Sequence, residues 1–296
     1  MPVPREFEYV KPATLDNALA LLAEYGARAR ILAGGTDLCL KIKEASETPE
    51  MLIDIKGLQE LTALDYAENQ LRIGAAVPFT RLIESPLVQE RFPLLRDASA
   101  TVGSVGIRNR ATMGGNICSA VPSLDSGPAL LVHEAVAHVK SRQGERRVPL
   151  LDWFVGPKRS ALQPDEILTA ISVPTPPKKA GACYVKLGRY AGEDLAQAGV
   201  GVLALEGHEY RIAFCAVGPV PTRARKIEAL LQGNKLSEPV LKEAKALVPE
   251  EIAPISDIRS SKEYRTMMIK VMLERGLQAA VSALRGGRSE HGAIWV

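Results

Sequence analysis

Cysteine is scarce in this sequence: 4 occur in 296 residues, and Cys39, Cys118, Cys183 and Cys215 include no pair at Cys-x-x-Cys spacing. Neither a structural zinc site nor a local iron–sulfur loop can be read from such spacing, so reduced, buried thiols are expected and no metal site is assigned. Histidine is equally thin. Of the 4 present, His133 and His138 are five positions apart, which suits neither one helix face nor strand alternation. No stretch approaches the ~20 apolar residues of a membrane helix, which argues against membrane insertion. The first residues lack the long apolar core of a secretory signal, and a cytoplasmic location is the expectation. A large excess of one charge is also missing. The net charge is +3 from 37 basic and 34 acidic residues, too small and too dispersed for a nucleic-acid partner.

What is present is a composition near the average for globular proteins, 46% hydrophobic and 24% charged, in a chain longer than one core usually serves. Two domains are therefore expected. The stretch Pro174-Thr175-Pro176-Pro177-Lys178-Lys179 is the best linker, because proline stiffens the chain and lysine keeps it in water. It divides the chain into a first domain at 1–176 and a second at 177–285, with 286–296 as a flexible tail rich in glycine, serine and charge.

In the first domain, Thr14 and Asp16 can cap a helix with apolar residues at Leu15, Ala18, Leu19 and Leu22, closed by Gly26. Residues 30–32 form a strand that breaks at Gly34-Gly35, and Asp37 or Thr36 can then cap a short helix over 38–43. Strands follow at 51–55 and 71–77, the latter paired with 61–66 across Glu68-Asn69. Broken helical patterns fill 79–101, and 102–116 has too little periodicity for either regular element. Another helix is expected near Pro128, then a hairpin of 135–139 with 146–150, and a strand at 167–173. Beyond the linker, strands at 183–188, 198–205 and 210–217 precede helices at 222–231, 236–246 and 262–284. That order makes the second domain a small sheet covered by helices, an α+β arrangement.

Two glycine-rich stretches carry the chemistry: Ala33-Gly34-Gly35-Thr36-Asp37 and Thr112-Met113-Gly114-Gly115-Asn116. A glycine turn at a helix start can aim successive backbone N–H groups at phosphate oxygens, and a Cβ would block that approach. Either stretch alone is weak evidence, since Gly-Gly after a strand more often makes a tight turn than a phosphate site. Together, in one domain, they could close on the pyrophosphate of a dinucleotide from opposite sides. Neither has the Gly-x-Gly-x-x-Gly spacing of a Rossmann fingerprint, which disfavours a nicotinamide-binding fold.

The stretch from Ile107 through Arg108-Asn109-Arg110-Ala111 into Thr112-Met113-Gly114-Gly115-Asn116-Ile117, continuing to Pro122, Asp125 and Pro128-Ala129-Leu130-Leu131, resembles the signature of FAD-binding subunits in the xanthine dehydrogenase and carbon monoxide dehydrogenase family. Ala33 to Leu38 is similar to that family's first motif. Lys186-Leu187-Gly188-Arg189, Asp194-Leu195-Ala196 and the run from Asp257 to Arg265 resemble its second domain, so nearly the whole chain is covered. The resemblance implies an α+β fold with an N-terminal FAD-binding domain of the vanillyl-alcohol-oxidase type, made of two α/β subdomains, and the family's C-terminal domain. It implies FAD as cofactor, with Ile31, Leu32, Ala33, Gly34, Gly35, Thr36 and Asp37, and Thr112, Met113, Gly114, Gly115 and Asn116, around the pyrophosphate. Asp125 would meet the sugar or ribityl hydroxyls, Leu168 would pack on the cofactor, and Lys186 would approach the flavin from the second domain. Ile117 and Cys118 should lie against the ring system. The bland readings are core for Leu168, a solvated strand lysine for Lys186, and a small hydrophobe for Cys118. No inserted cysteine-rich loop is present, which disfavours relatives that carry an additional iron–sulfur cluster there.

No residue is assigned a catalytic acid–base role, since flavin supplies the chemistry and protein supplies placement. The resemblance implies partners: a large molybdopterin-binding subunit and a small subunit with two 2Fe–2S clusters, in a heterotrimer or its dimer. Electrons would pass from the clusters through FAD to NAD+, a quinone or oxygen. Two alternatives stand beside this reading. A free-standing FAD-dependent oxidase would need an aromatic or histidine-rich substrate pocket, and aromatic residues are only 5%. A flavin-free assembly subunit would show disrupted glycines, and both stretches are intact.

Overall fold

Thr14 accepts a hydrogen bond from the Asn17 backbone N–H and opens helix α1 (Leu15–Tyr25), which buries Leu15, Ala18, Leu19 and Leu22 and ends at Gly26 with φ +51°. This cap and its apolar stripe set the first layer of a computed structural model that describes residues 5–190, 194–287 and 293–296. Helix α1 lies between β1 (Glu8–Val10) and β2 (Ala29–Leu32), and both strands pair in parallel with β3 (Met51–Asp54) in the order β1-β3-β2. Strand β3 is buried at every residue, as a parallel strand covered on both faces should be. Between β2 and β3 the chain turns at Gly34-Gly35 into α2 (Leu38–Lys43), the span expected from the sequence.

A second, antiparallel sheet follows. Strands β4 (Leu64–Ala67) and β5 (Gln70–Gly74) meet at Glu68-Asn69, both with positive φ, a turn whose twist matches that of the strands it joins. Six short helices then intervene: α3 (Phe79–Glu84), α4 (Pro86–Arg91), α5 (Pro93–Ala100), α6 (Val105–Arg108), α7 (Met113–Ser119) and α8 (Ser126–Val132). The sheet resumes with β6 (Val136–Ser141) and β7 (Gly144–Pro149), a side hairpin of β8 (Phe154–Gly156) and β9 (Arg159–Ser160), and β10 (Ile167–Pro174). Its order is β4-β5-β10-β6-β7.

Helices α6 and α7 correct the expectation of a loop over 102–116. Ser104 and Thr112 each accept a backbone N–H three residues on and so start a helix. Two glycines in α7 lower its intrinsic helix propensity, and tertiary packing of Met113 and Ile117 supplies what propensity does not.

The third sheet holds β11 (Ala180–Leu187), β12 (Ala198–Leu205), β13 (Glu209–Cys215) and β14 (Thr222–Arg223), covered by α9 (Arg225–Leu231), α10 (Glu238–Glu251) and α11 (Lys262–Leu284). Strand β12 is buried throughout because alternate residues serve different cores. Val200, Val202 and Ala204 join the core under α11, while Leu203 and Leu205 join the core of the first half. The expected flexible tail needs correction at its far end: Ile294–Trp295 form β15, parallel to Val185 and Lys186 of β11, in the order β14-β13-β12-β11-β15. The rest of that expectation falls partly on 288–292, outside the described residues. Among the described residues no helix is long and apolar enough to cross a membrane.

Candidate functional site

Strand β2 delivers the first glycine turn directly onto the second glycine stretch. A Cβ on Gly34 would lie 2.1 Å from the Arg110 carbonyl oxygen and 2.8 Å from the Ala111 Cα, so only glycine lets the two segments touch. Gly35, at φ +78°, then reverses the chain, and its carbonyl accepts the Cys39 N–H at 2.9 Å to start α2. In the second stretch Thr112 Oγ1 accepts the Gly115 N–H at 2.9 Å, and Gly114 rests on the backbone of Ala75, where a Cβ would come within 2.6 Å of the Ala75 oxygen.

Both stretches wall one cavity of about 630 Å³. Ile31, Ala33, Gly34, Gly35, Thr36 and Asp37 line it from the first, and Thr112, Gly114, Gly115 and Asn116 from the second, with Asp125 and Leu168 on the remaining wall. Leu32, Met113, Ile117 and Lys186 do not line it. The reason is periodicity. Strand alternation turns Leu32 away from the face of Ile31 and Ala33, and Met113 and Ile117, four apart on α7, share its core face. Ile117 instead offers its carbonyl to the Trp153 indole N–H at 2.9 Å, while Cys118 faces the cavity as the sequence suggests. Burial pushes the Cys118 thiol up to about 12, so it stays protonated at neutral pH.

Asp125 is the N-cap of α8, yet its side chain leaves the helix uncapped and turns to the third sheet. Its Oδ1 accepts the Tyr184 hydroxyl at 2.8 Å and its Oδ2 accepts the Lys186 Nζ at 2.9 Å. Lys186 is fully buried, at 0% exposure, and also donates to the Thr101 carbonyl at 2.8 Å. Burial raises the Asp125 carboxyl above its ordinary value, and Lys186 and Tyr184 pull against that rise. Lys186 therefore reaches the cavity through Asp125. The solvated-lysine reading is excluded by its burial.

Several lining residues went unforeseen. Lys41 stands four residues beyond Asp37 on α2, a helical spacing that could have placed it on the same face. Ser104 and Glu166 also line the cavity with no short motif to mark them, and so do Asp194 and Leu195, whose motif pointed to the second domain and not to the cavity. Burial works to raise the Glu166 carboxyl, but Arg146, paired to it at 2.6 and 2.7 Å, holds it below the ordinary carboxylate value.

Chemically, the cavity suits a long ligand with phosphates, hydroxyls and a flat apolar end. Among the described residues, the N–H groups of Gly34, Gly35, Thr36 and Asp37 are engaged by no backbone carbonyl, which leaves donors beside the cavity for phosphate oxygens. The Asn116 side chain is fixed on the wall by Ser126 Oγ, which donates to its Oδ1 at 2.6 Å. Asp125 offers a carboxylate that accepts hydrogen bonds from hydroxyls, and Leu168, Ile31 and Leu162 form an apolar surface. An FAD molecule fits this donor set, and Gly115, opening on the cavity, supplies the room a side chain would fill.

Comparison with known proteins bears on the same ligand. Residues 5–176 match the model of the FAD binding domain in molybdopterin dehydrogenase, and residues 182–280 match the CO dehydrogenase flavoprotein C-terminal domain. The chain is 34% identical to the xanthine dehydrogenase FAD-binding subunit of Escherichia coli O157:H7 over 94% of this chain and 97% of that one. It is 33% identical to the carbon monoxide dehydrogenase medium chain of Afipia carboxidovorans over 94% and 98%. Among solved structures, a carbon monoxide dehydrogenase from Hydrogenophaga pseudoflava superposes with a TM-score of 0.91 at 34% identity, covering 95% of this chain and 99% of that one.

Proposed function

Because the chain belongs to the family of FAD-binding subunits of molybdenum hydroxylases, oxidoreductases of the xanthine and carbon monoxide dehydrogenase kind that carry FAD, we propose that it is the electron outlet of a multi-subunit enzyme. Electrons arrive from 2Fe–2S clusters of a small partner subunit and leave to NAD+, a quinone or oxygen. A large molybdopterin-binding subunit performs the substrate chemistry, in a cytoplasmic heterotrimer or a dimer of heterotrimers. The subunit and medium-chain names of the relatives support an assembly of this type. The proposed domain boundary at 176/177 is supported by matched regions that cover 5–176 and 182–280.

The observation that carries the reading is the convergence of two distant glycine stretches on one cavity, locked together at Gly34 and Arg110. When bound, FAD supplies the exchange between single-electron and two-electron transfer. The chain's residues place it. Gly34 to Asp37 present backbone donors to the pyrophosphate, and Thr112 caps α7, whose first turn lines the same cavity at Gly114 and Gly115. Asn116, held by Ser126, and Asp125, held by Tyr184 and Lys186, orient the hydroxyl-bearing linker. Leu168 and the neutral Cys118 thiol keep water from the ring face.

Two measurements test this. The visible spectrum of the purified chain should show bound flavin at one FAD per chain, and affinity purification from its native host should bring down molybdenum and iron in stoichiometric amounts. A flavin-free chain would sink the cofactor-site assignment. A flavin-loaded monomer that oxidises a small molecule unaided would sink the subunit reading.

A further inference from the structure

We propose that Trp295 is a positioning residue of the FAD site, its indole holding Lys186 in the geometry that fixes Asp125 on the cavity wall. The proposal rests on the FAD reading above and adds β15 to the site.

Lys186 sits on β11 with no solvent exposure, so its ammonium must be satisfied by the protein. Two of its donors are directed at oxygens, the Asp125 carboxylate at 2.9 Å and the Thr101 carbonyl at 2.8 Å. The remaining partner is the Trp295 ring, whose centroid lies 5.2 Å from Nζ. A desolvated ammonium over an indole face is the strongest form of the cation–π contact. Without the ring, water or empty space would take that place, and the ammonium would be free to shift from Asp125.

The seat for the indole is built into both strands. Register pairs Lys186 with Trp295, and the Val296 N–H donates to the Lys186 carbonyl at 3.0 Å. Two residues on, Gly188 leaves room: a Cβ there would stand 3.2 Å from the Trp295 Cζ3. Asp125 is clamped in turn, one oxygen by Tyr184 and the other by Lys186, and it lines the FAD cavity. A chain of contacts thus runs from β15 through Lys186 to the wall that meets the cofactor's hydroxyls.

The test compares Trp295→Phe, which keeps an aromatic face, with Trp295→Leu, which is apolar but has none. Full-length apo-protein is titrated with FAD, and urea unfolding of the apo forms is measured alone and combined with Lys186→Met. Trp295→Phe should bind FAD within about twofold of the parent, and Trp295→Leu should weaken binding roughly five- to tenfold, a fraction of a desolvated cation–π contact. In the unfolding cycle, the cost of Trp295→Leu should fall by about half or more in the Lys186→Met background, leaving only the packing of the ring beside Gly188. Equal behaviour of the Phe and Leu variants, or the same cost of Trp295→Leu with and without Lys186, would overturn the proposal and make Trp295 a packing residue only. Trp295→Met takes the place of the leucine variant if that one misfolds. If the parent binds no FAD, the functional reading fails, and the unfolding cycle still decides the contact between Trp295 and Lys186.

Discussion

Replacing Lys186 with methionine isolates the interaction that joins the two halves of the molecule at the cavity wall. The methionine fills much the same volume, but it leaves the Asp125 carboxylate, whose side chain is 7% exposed, without its cation. It also strands the Thr101 carbonyl that Lys186 satisfies at 2.8 Å. Breaking a buried pair by deleting one partner costs about 3–5 kcal/mol, because the surviving charge stays buried and unpaired. At a denaturant slope of about 3 kcal/mol per molar urea, the unfolding midpoint should drop by roughly 1–1.7 M. The two tryptophans report the event from both halves, Trp153 from the first core and Trp295 from β15. Adding Asp125→Asn, which removes the orphaned charge and keeps an oxygen for the Tyr184 hydroxyl, should recover about half or more of the loss. A Lys186→Met midpoint within about 0.2 M of the parent's would refute the buried pair as a structural pin.

Three further outcomes follow from the same geometry. Gly34→Ala places a methyl against the Arg110 carbonyl, so the apo-protein itself should lose stability by roughly 2 kcal/mol or more along with FAD retention; thermal unfolding without flavin checks it. Trp153→Phe leaves the buried Ile117 carbonyl unpaired and should cost about 1–3 kcal/mol in urea unfolding. His133 is buried, and burial pulls its pKa down to about 4 from 6.5, against a hydrogen bond with the Pro174 backbone that favours the charged ring. Because the unfolded chain binds the proton more readily, this contribution is whole above about pH 6.5 and is lost as pH falls toward 4, by roughly 3 kcal/mol at most. His133→Leu should therefore flatten the stability profile between pH 6.5 and 4. A profile as steep as the parent's would exclude His133 as the cause.

Much of the fold was legible because its signals are local. The Thr14 cap, the apolar stripe of α1 and Gly26 act within four turns, and the Glu68-Asn69 turn is chemically specified by its own two residues. Helix α7 was hidden because Gly114 and Gly115 remove the propensity signal, although Met113 and Ile117 at helical spacing and the Thr112 cap were there to be read. Strand β15 was hidden for a different reason: a two-residue strand has no periodicity, and its partner on β11 lies over a hundred residues away. At the site, the glycine stretches stood out in the sequence, while the directions of their neighbours did not. Alternation could have separated Leu32 from Ile31 and Ala33. Nothing local could have shown that Lys186 points at Asp125, because that pairing exists only when the third sheet packs on α8.

The claim that one cavity between two glycine stretches holds FAD is tested most directly by the flavin content of Gly115→Val. A Cβ at Gly115 would stand 3.0 Å from the Thr112 hydroxyl and 4.0 Å from the Ala33 Cβ, and side-chain methyls would enter the cavity that Gly115 lines. The variant should fold, with apo-protein unfolding close to that of the parent, and should carry almost no FAD in its visible spectrum. A folded variant retaining one FAD per chain would contradict the account.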